Sequence, residues 1–201
     1  MGLTPTRAVR VFGAIVLAVF VGACGGSSES DDAAPPDAPC SMKGVPTTLH
    51  NAQDTMFAQH MIPHHQQGVD MSAMVPSRTD NSTLHVVAAR IKIDQQAEIN
   101  ILTDCLERWG EPLTGHAGHD GLTMPGMVDH DTMSRLETLK GAEFDTSWIT
   151  AMIGHHQGAI TMAQAELAHG ESPAALRMAR LIIATQEREI AYMTHMISAT
   201  E

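Results

Sequence analysis

The pattern Met-x-x-His-His occurs twice in this 201-residue chain, at Met61/His64/His65 and at Met152/His155/His156. Imidazole and thioether together make a soft-to-borderline donor set. Thioether suits Cu(I), whereas Mg and Ca want oxygen. On a helix, residues three and four apart are neighbours, so each Met can reach towards the His pair that follows it. Adjacent residues point about 100° apart on a helix, so one His of each pair faces the core stripe and the other a neighbouring helix or the rim. Burying four imidazoles is costly unless the core supplies hydrogen bonds or a metal. Gln95, Glu98, Gln186 and Glu189 could supply the bonds, which keeps a purely structural polar core open as the alternative.

A second cluster, His116, His119, Met124 and Met127, stands between the two motifs and could collect copper, or be an ordinary polar loop. Di-iron oxidase chemistry wants two Glu-x-x-His motifs with further carboxylates. That motif is absent, with only Glu98 and Glu189 on the candidate interior stripe. No serine is placed convincingly beside a histidine and an acid. The reading is therefore of a non-enzyme.

The elements that must position these groups are legible from a repeat. Asp54-Thr55-Met56-Phe57 matches Asp145-Thr146-Ser147-Trp148, an offset of 91 residues. The same offset carries Met61-Ile62-Pro63-His64-His65-Gln66 onto Met152-Ile153-Gly154-His155-His156-Gln157 and Met71 onto Met162. It also carries Ile91, Gln95, Glu98, Ile99 and Leu102 onto Ile182, Gln186, Glu189, Ile190 and Met193. One ungapped offset through two segments per half marks two copies of one supersecondary unit. The stripe Phe57, Met61, His64, Gly68, Met71 has helical spacing. Asp80-Asn81-Ser82 can cap a second helix and Gly110 end it; Gly170 can close a third, and Ser172-Pro173 open a fourth. Two helical hairpins predict an all-α four-helix bundle, with repeat one at 49–109, a connecting segment at 110–141 and repeat two at 142–199. Asp131 to Lys140 can add a short helix capped by Asp131 or Ser134. Pro63 and Gly154 weaken the helix one residue before each His pair. A pseudo-twofold between the hairpins would bring two His and two Met side chains to one point, with Glu98 and Glu189 nearby.

The N-terminal residues set the expected location. Arg7 and Arg10 precede an apolar run, Val11 to Val21, that is short for a bilayer span of about 20 residues. Val21-Gly22-Ala23-Cys24 reads as a lipobox, making 1–23 a signal peptide and Cys24 the lipidated first residue. Residues 24–46 are rich in Gly, Ser, Asp and Pro and read as a tether, leaving 47–201 as the domain. The chain carries a net charge of −11, more negative still without its leader. Nucleic acid is not an expected partner, and the membrane is reached through lipid rather than charge. Cys40 and Cys105 remain; an extracytoplasmic pair favours a disulfide, with a thiolate metal ligand as the rival. A protein partner and a homo-oligomer are left open.

Several of these motifs resemble those of the domain-of-unknown-function 305 family: Phe144-Asp145, Met152-Ile153, His155-His156-Gln157-Gly158-Ala159 and Met162-Ala163. Met61-Ile62-Pro63-His64-His65-Gln66 is similar to its first-repeat counterpart and Met124-Pro125-Gly126-Met127 to its linker. The similarity spans Leu49 to Ile197, departing at Gly68, where the family often has Ala, and at Cys105. The resemblance implies a ferritin-like bundle on the extracytoplasmic face and kinship with CopM-type copper-binding proteins that contribute to copper resistance. Carried over residue by residue, it puts metal donors at Met61, His64, His65, Met71, Met152, His155, His156 and Met162. The expectation is a lipid-anchored protein that sequesters or transfers copper.

Overall fold

The computed structural model describes residues 49–113 and 124–198. The expected leader, Cys24, the tether with Cys40, and His116 and His119 lie outside the described residues. Five helices follow in order: α1 (Ala52–Arg78), α2 (Ser82–Trp109), α3 (His130–Thr138), α4 (Gly141–His169) and α5 (Pro173–Ser198). Short turns fold α1 on α2 and α4 on α5 as antiparallel hairpins. The hairpins join chiefly through α1 and α4, while α2 and α5 meet sparingly across the opposite face.

Local chemistry sets the ends. Asn51 caps α1, its side chain accepting from the amides of Gln53 and Asp54 while Asp54 Oδ2 accepts from the Asn51 amide at 2.7 Å. Asn81 caps α2, and Gly110 ends it at φ 74°, a left-handed position that glycine adopts without strain. α5 opens at Pro173, where a missing N–H costs nothing. The short helix differs from expectation. It starts one residue earlier because Asp129, not Asp131 or Ser134, accepts from the Thr132 amide at 2.7 Å.

The apolar residues form two main clusters, one on each side of the histidines. The first holds Phe57, Met61, Leu102 and Ile182; the second holds Trp148, Met152, Met193 and Ile91. Each of these members of one cluster is the repeat equivalent of a member of the other, as a pseudo-twofold between antiparallel α1 and α4 requires. Fully burying a side chain of this size contributes about 1.5–3 kcal/mol. The two clusters therefore hold the polar layer between them. Trp148 ties the halves directly, its Nε1–H donating to the Met71 carbonyl at 2.9 Å.

Clamps at the helix ends obey the same symmetry. Asp54 on α1 accepts from the amides of Glu171 (3.1 Å) and Ser172 (2.8 Å) at the start of α5. Its equivalent, Asp145 on α4, accepts from the Asn81 side chain at 2.8 Å at the start of α2. Each hairpin thus holds the other's turn.

Candidate functional site

His64, His65, His155 and His156 are all fully buried. Within each pair the two rings separate as helical geometry requires. His64 and His155 meet on the pseudo-twofold with ring centroids 3.9 Å apart and planes 28° from parallel. His65 and His156 turn into their own hairpins, where each Nε2 lies 2.7 Å from a carboxylate oxygen, of Glu98 and Glu189 respectively.

The partners fix the protons. A carbonyl oxygen only accepts, so His64 Nε2–H donates to Pro125 O (3.0 Å) and His155 Nε2–H donates to His64 O (2.9 Å). A carboxylate likewise accepts from Nε2–H of His65 and of His156. At His64 and His155 Nδ1 is therefore the lone-pair nitrogen, and the Nδ1 atoms of all four histidines are buried without a hydrogen-bond partner. A buried polar group left unpaired costs about 1–3 kcal/mol. Four in one layer is a large cost for a structural core to carry. Burial pushes the His64 imidazole down to about 3, with the nearby His65 adding to the shift. His155 is lowered well below its ordinary value by burial and then by His64. Both rings are neutral near pH 7, and their lone pairs are not competed for by protons.

The methionines are divided, where the repeat alone places two at one point. Met61 and half-buried Met162 belong to the first apolar cluster; Met71 and Met152 belong to the second. Antiparallel crossing of α1 and α4 sends equivalent residues to opposite sides of the histidines, so of these four Met residues each side takes one from each repeat. Gln95 and Gln186 also depart from expectation. They are buried, yet neither amide end has a partner among the described residues. The glutamates already hold the Nε2 groups, and Gln95 Oε1 sits in the space over Gly68, 2.0 Å from where a Cβ would stand.

One component escapes a reading of the sequence. Met124-Pro125-Gly126-Met127 is a turn closed by Met127 N–H donating to Met124 O at 3.2 Å, with Gly126 at φ 75°. Pro then Gly at its centre is the type II pattern. This strap lies across α1 and α4. Gln67 holds Val128 through two hydrogen bonds of 2.8 Å, one to its carbonyl and one from its amide. On the other side a Cβ on Gly158 would stand 2.0 Å from Pro125 O. Gln67 and Gly158 are repeat equivalents, so the strap is where the pseudo-twofold is broken. The signal is a Gln set against a Gly directly after six aligned positions. Met124 and Met127 are half-buried in this strap. Cys105 is buried and disulfide-bonded, with its partner outside the described residues.

Among the described residues no three His, Cys, Asp or Glu side chains converge in chelating geometry. The layer therefore presents imidazoles singly or in pairs, between two apolar clusters that carry methionine. Such a donor set fits a soft monovalent ion better than a hard divalent one.

The DUF305 family model, a domain of unknown function, matches residues 54–197. A DUF305 crystal structure from Streptomyces coelicolor, named as a putative secreted protein, is 30% identical with a TM-score of 0.69, covering 73% of this chain and 93% of that one. A DUF305 fragment from Deinococcus radiodurans is 29% identical with a TM-score of 0.67, covering 74% and 97%. CopM in its Cu(I)-bound form is 29% identical with a TM-score of 0.61, covering 73% and 96%. No curated protein sequence matches.

Proposed function

The chain belongs to the DUF305 family, and from the chemistry of its buried layer we propose that it is an extracytoplasmic copper-binding protein holding Cu(I) through histidine and methionine. The reading rests on one observation: four buried imidazoles present unpartnered Nδ1 atoms between two methionine-bearing clusters. Glu98 and Glu189, on the Nε2 side of His65 and His156, orient those two rings, as carboxylates behind metal-bound histidines do. His64, His65, His155 and His156 would supply nitrogen, with Met61 and Met162 on one side and Met71 and Met152 on the other. The ion is cargo, buffered or handed on without covalent chemistry. Similarity to CopM supports copper, and a relative named as secreted, together with the lipobox ending at Cys24, supports a lipid-anchored place outside the cytoplasmic membrane.

Anaerobic competition for Cu(I) against a chromophoric chelator tests this. The protein should compete, and His64→Ala/His155→Ala should weaken binding by about 100-fold or more. Equal competition by both proteins would reject the site. The hydrogen bonds at every Nε2 favour a second reading, a structural polar core. Melting separates the two, since a ligand that binds only the native state must raise Tm. No rise at saturating Cu(I) would leave the structural core standing.

A further inference from the structure

Of the four buried histidines, only His64 donates to a group outside the four long helices. His155 donates to the His64 carbonyl within α1, and His65 and His156 donate to glutamates of α2 and α5. The acceptor of His64 is Pro125 O, at the tip of the strap, at 3.0 Å. Pro125 and Gly126 are themselves exposed, while the ring beneath them is fully buried.

The strap is fastened unevenly. Val128 anchors it, packing against the second apolar cluster while Gln67 holds both its amide and its carbonyl. From Val128 back to Met124, the one hydrogen bond to the bundle among the described residues is that of His64. On α4 the tip packs on the backbone of Gly154 and Gly158. An opening of the tip therefore breaks one hydrogen bond and leaves the anchor in place, the kind of small local event that costs far less than unfolding. The opposite face is less suited to a cation. Arg90 and Arg188 line the crevice between α2 and α5 there, and their charge opposes one.

The two nitrogens of His64 belong to one aromatic ring. A cation that draws electrons from Nδ1 makes Nε2–H a stronger donor, and hydrogen bonds from a charged donor are about twice as strong as neutral ones. Building on the copper reading, we propose that the Pro125–Gly126 tip is a lid latched by His64, which closes more tightly when the histidine layer holds Cu(I). His64 turns Nδ1 to the ion and Nε2–H to the latch. Coupling of this kind is reciprocal, so the closed tip also retains the ion. His155 cannot play this part, because its acceptor belongs to α1 itself.

Amide hydrogen exchange on the full chain, with and without saturating Cu(I) under anaerobic conditions, reads the latch. The Met127 amide closes the turn on Met124 O. It should exchange about tenfold more slowly in the loaded protein, within the usual range of coupling between two sites. The Thr132 amide, bonded to Asp129 in the same connecting segment, is the control and should not change. Gly158→Ala crowds the tip against backbone. It should speed both Met127 exchange without metal and release of Cu(I) to a chromophoric chelator by about tenfold, as overpacking shifts an equilibrium. Gln67→Ala loosens the anchor without crowding anything and should move both rates the same way. Equal Met127 exchange with and without Cu(I), in a protein that competes for the ion, would overturn the latch and leave the copper site in place. Wild-type release rates in both variants would do the same. A wild type that does not compete for Cu(I) at all would remove both.

Discussion

In the first hairpin Asp54 accepts three amide contacts from the start of α5; in the second, Asp145 accepts one side-chain contact from the start of α2. His65–Glu98 and His156–Glu189 repeat each other at 2.7 Å. The central histidines do not repeat: His64 donates to the strap and His155 donates to His64. Contacts within each hairpin keep the duplication; between the hairpins the clamps keep its positions with unequal contacts, and the central histidines have left it. Symmetry is retained within each hairpin and broken where the two hairpins meet.

The strap is the sharpest break in symmetry, and Gly158 the place to attack it. A Cβ there meets backbone, 2.0 Å from Pro125 O and 2.5 Å from Gly126 Cα, and backbone cannot turn aside as a side chain can. Gly158→Ala should cost about 1–3 kcal/mol in urea unfolding, the usual range for overpacking. Lifting the strap should also expose His64, read as faster exchange of its Nε2–H.

The clamps compare the two hairpins at a smaller scale. Asp54 uses both oxygens as acceptors, and an asparagine has only one to offer. Asp54→Asn should therefore cost about 2 kcal/mol, as lost hydrogen bonds to a charged group do. At the other clamp an amide oxygen in place of the carboxylate could still accept from Asn81, so Asp145→Asn should cost less than about 1 kcal/mol. Equal losses in thermal or urea unfolding would show that the clamps are equivalent after all.

Acid and base should act on different parts of the molecule. His64 falls to about 3 when folded and His155 also falls, so the unfolded chain takes up protons first as pH drops below 6.5. Their burial therefore costs no protonation energy above pH 6.5 and destabilises progressively below it. Glu166 is the reverse: burial first, and Asp54 beside it second, push its carboxyl up to about 9. The folded state keeps that proton above 4.5 where the unfolded chain releases it, so stability falls as pH rises towards 9. From pH 4.5 to 6.5 two histidines oppose one glutamate, which places the maximum near pH 6.5. Melts across roughly pH 4–9 should show it, and Glu166→Gln should flatten the alkaline side and steepen the rise between pH 4.5 and 6.5.

How far the sequence reaches follows from the range of each interaction. The repeat, the helices and the caps at Asn81, Gly110 and Pro173 depend on neighbours along the chain and are readable from it. That Glu98 and Glu189 serve the histidines is readable too, because a hairpin brings them together within one repeat. The grouping of the methionines is not, because it depends on how two hairpins cross. The strap stays hidden because a Pro-Gly turn states its own shape but not what it lies on. Which His of each pair meets the other hairpin needs the same tertiary information.

Glycine gives the finest comparison, since three positions on α1 and α4 differ only in what a Cβ would meet. At Gly158 it is backbone. At Gly68 it is the end of Gln95, which has no hydrogen bond to lose and can swing away, so Gly68→Ala should be nearly neutral. At Gly154, beside His155, nothing lies within 4 Å. The sequence marks Gly154 as a weak point aligned with Pro63, yet α4 runs unbroken through it. An alanine there gains helix propensity and reduces the freedom of the unfolded chain, at no steric expense. Gly154→Ala should therefore stabilise the protein by about 0.5–1 kcal/mol. It should do so without changing Cu(I) affinity if the glycine is only a tolerated helix weakness. Weaker binding from a more stable variant would mean that flexibility at Gly154 lets His155 turn towards the ion, and the two hairpins would then differ in motion as well as in cover.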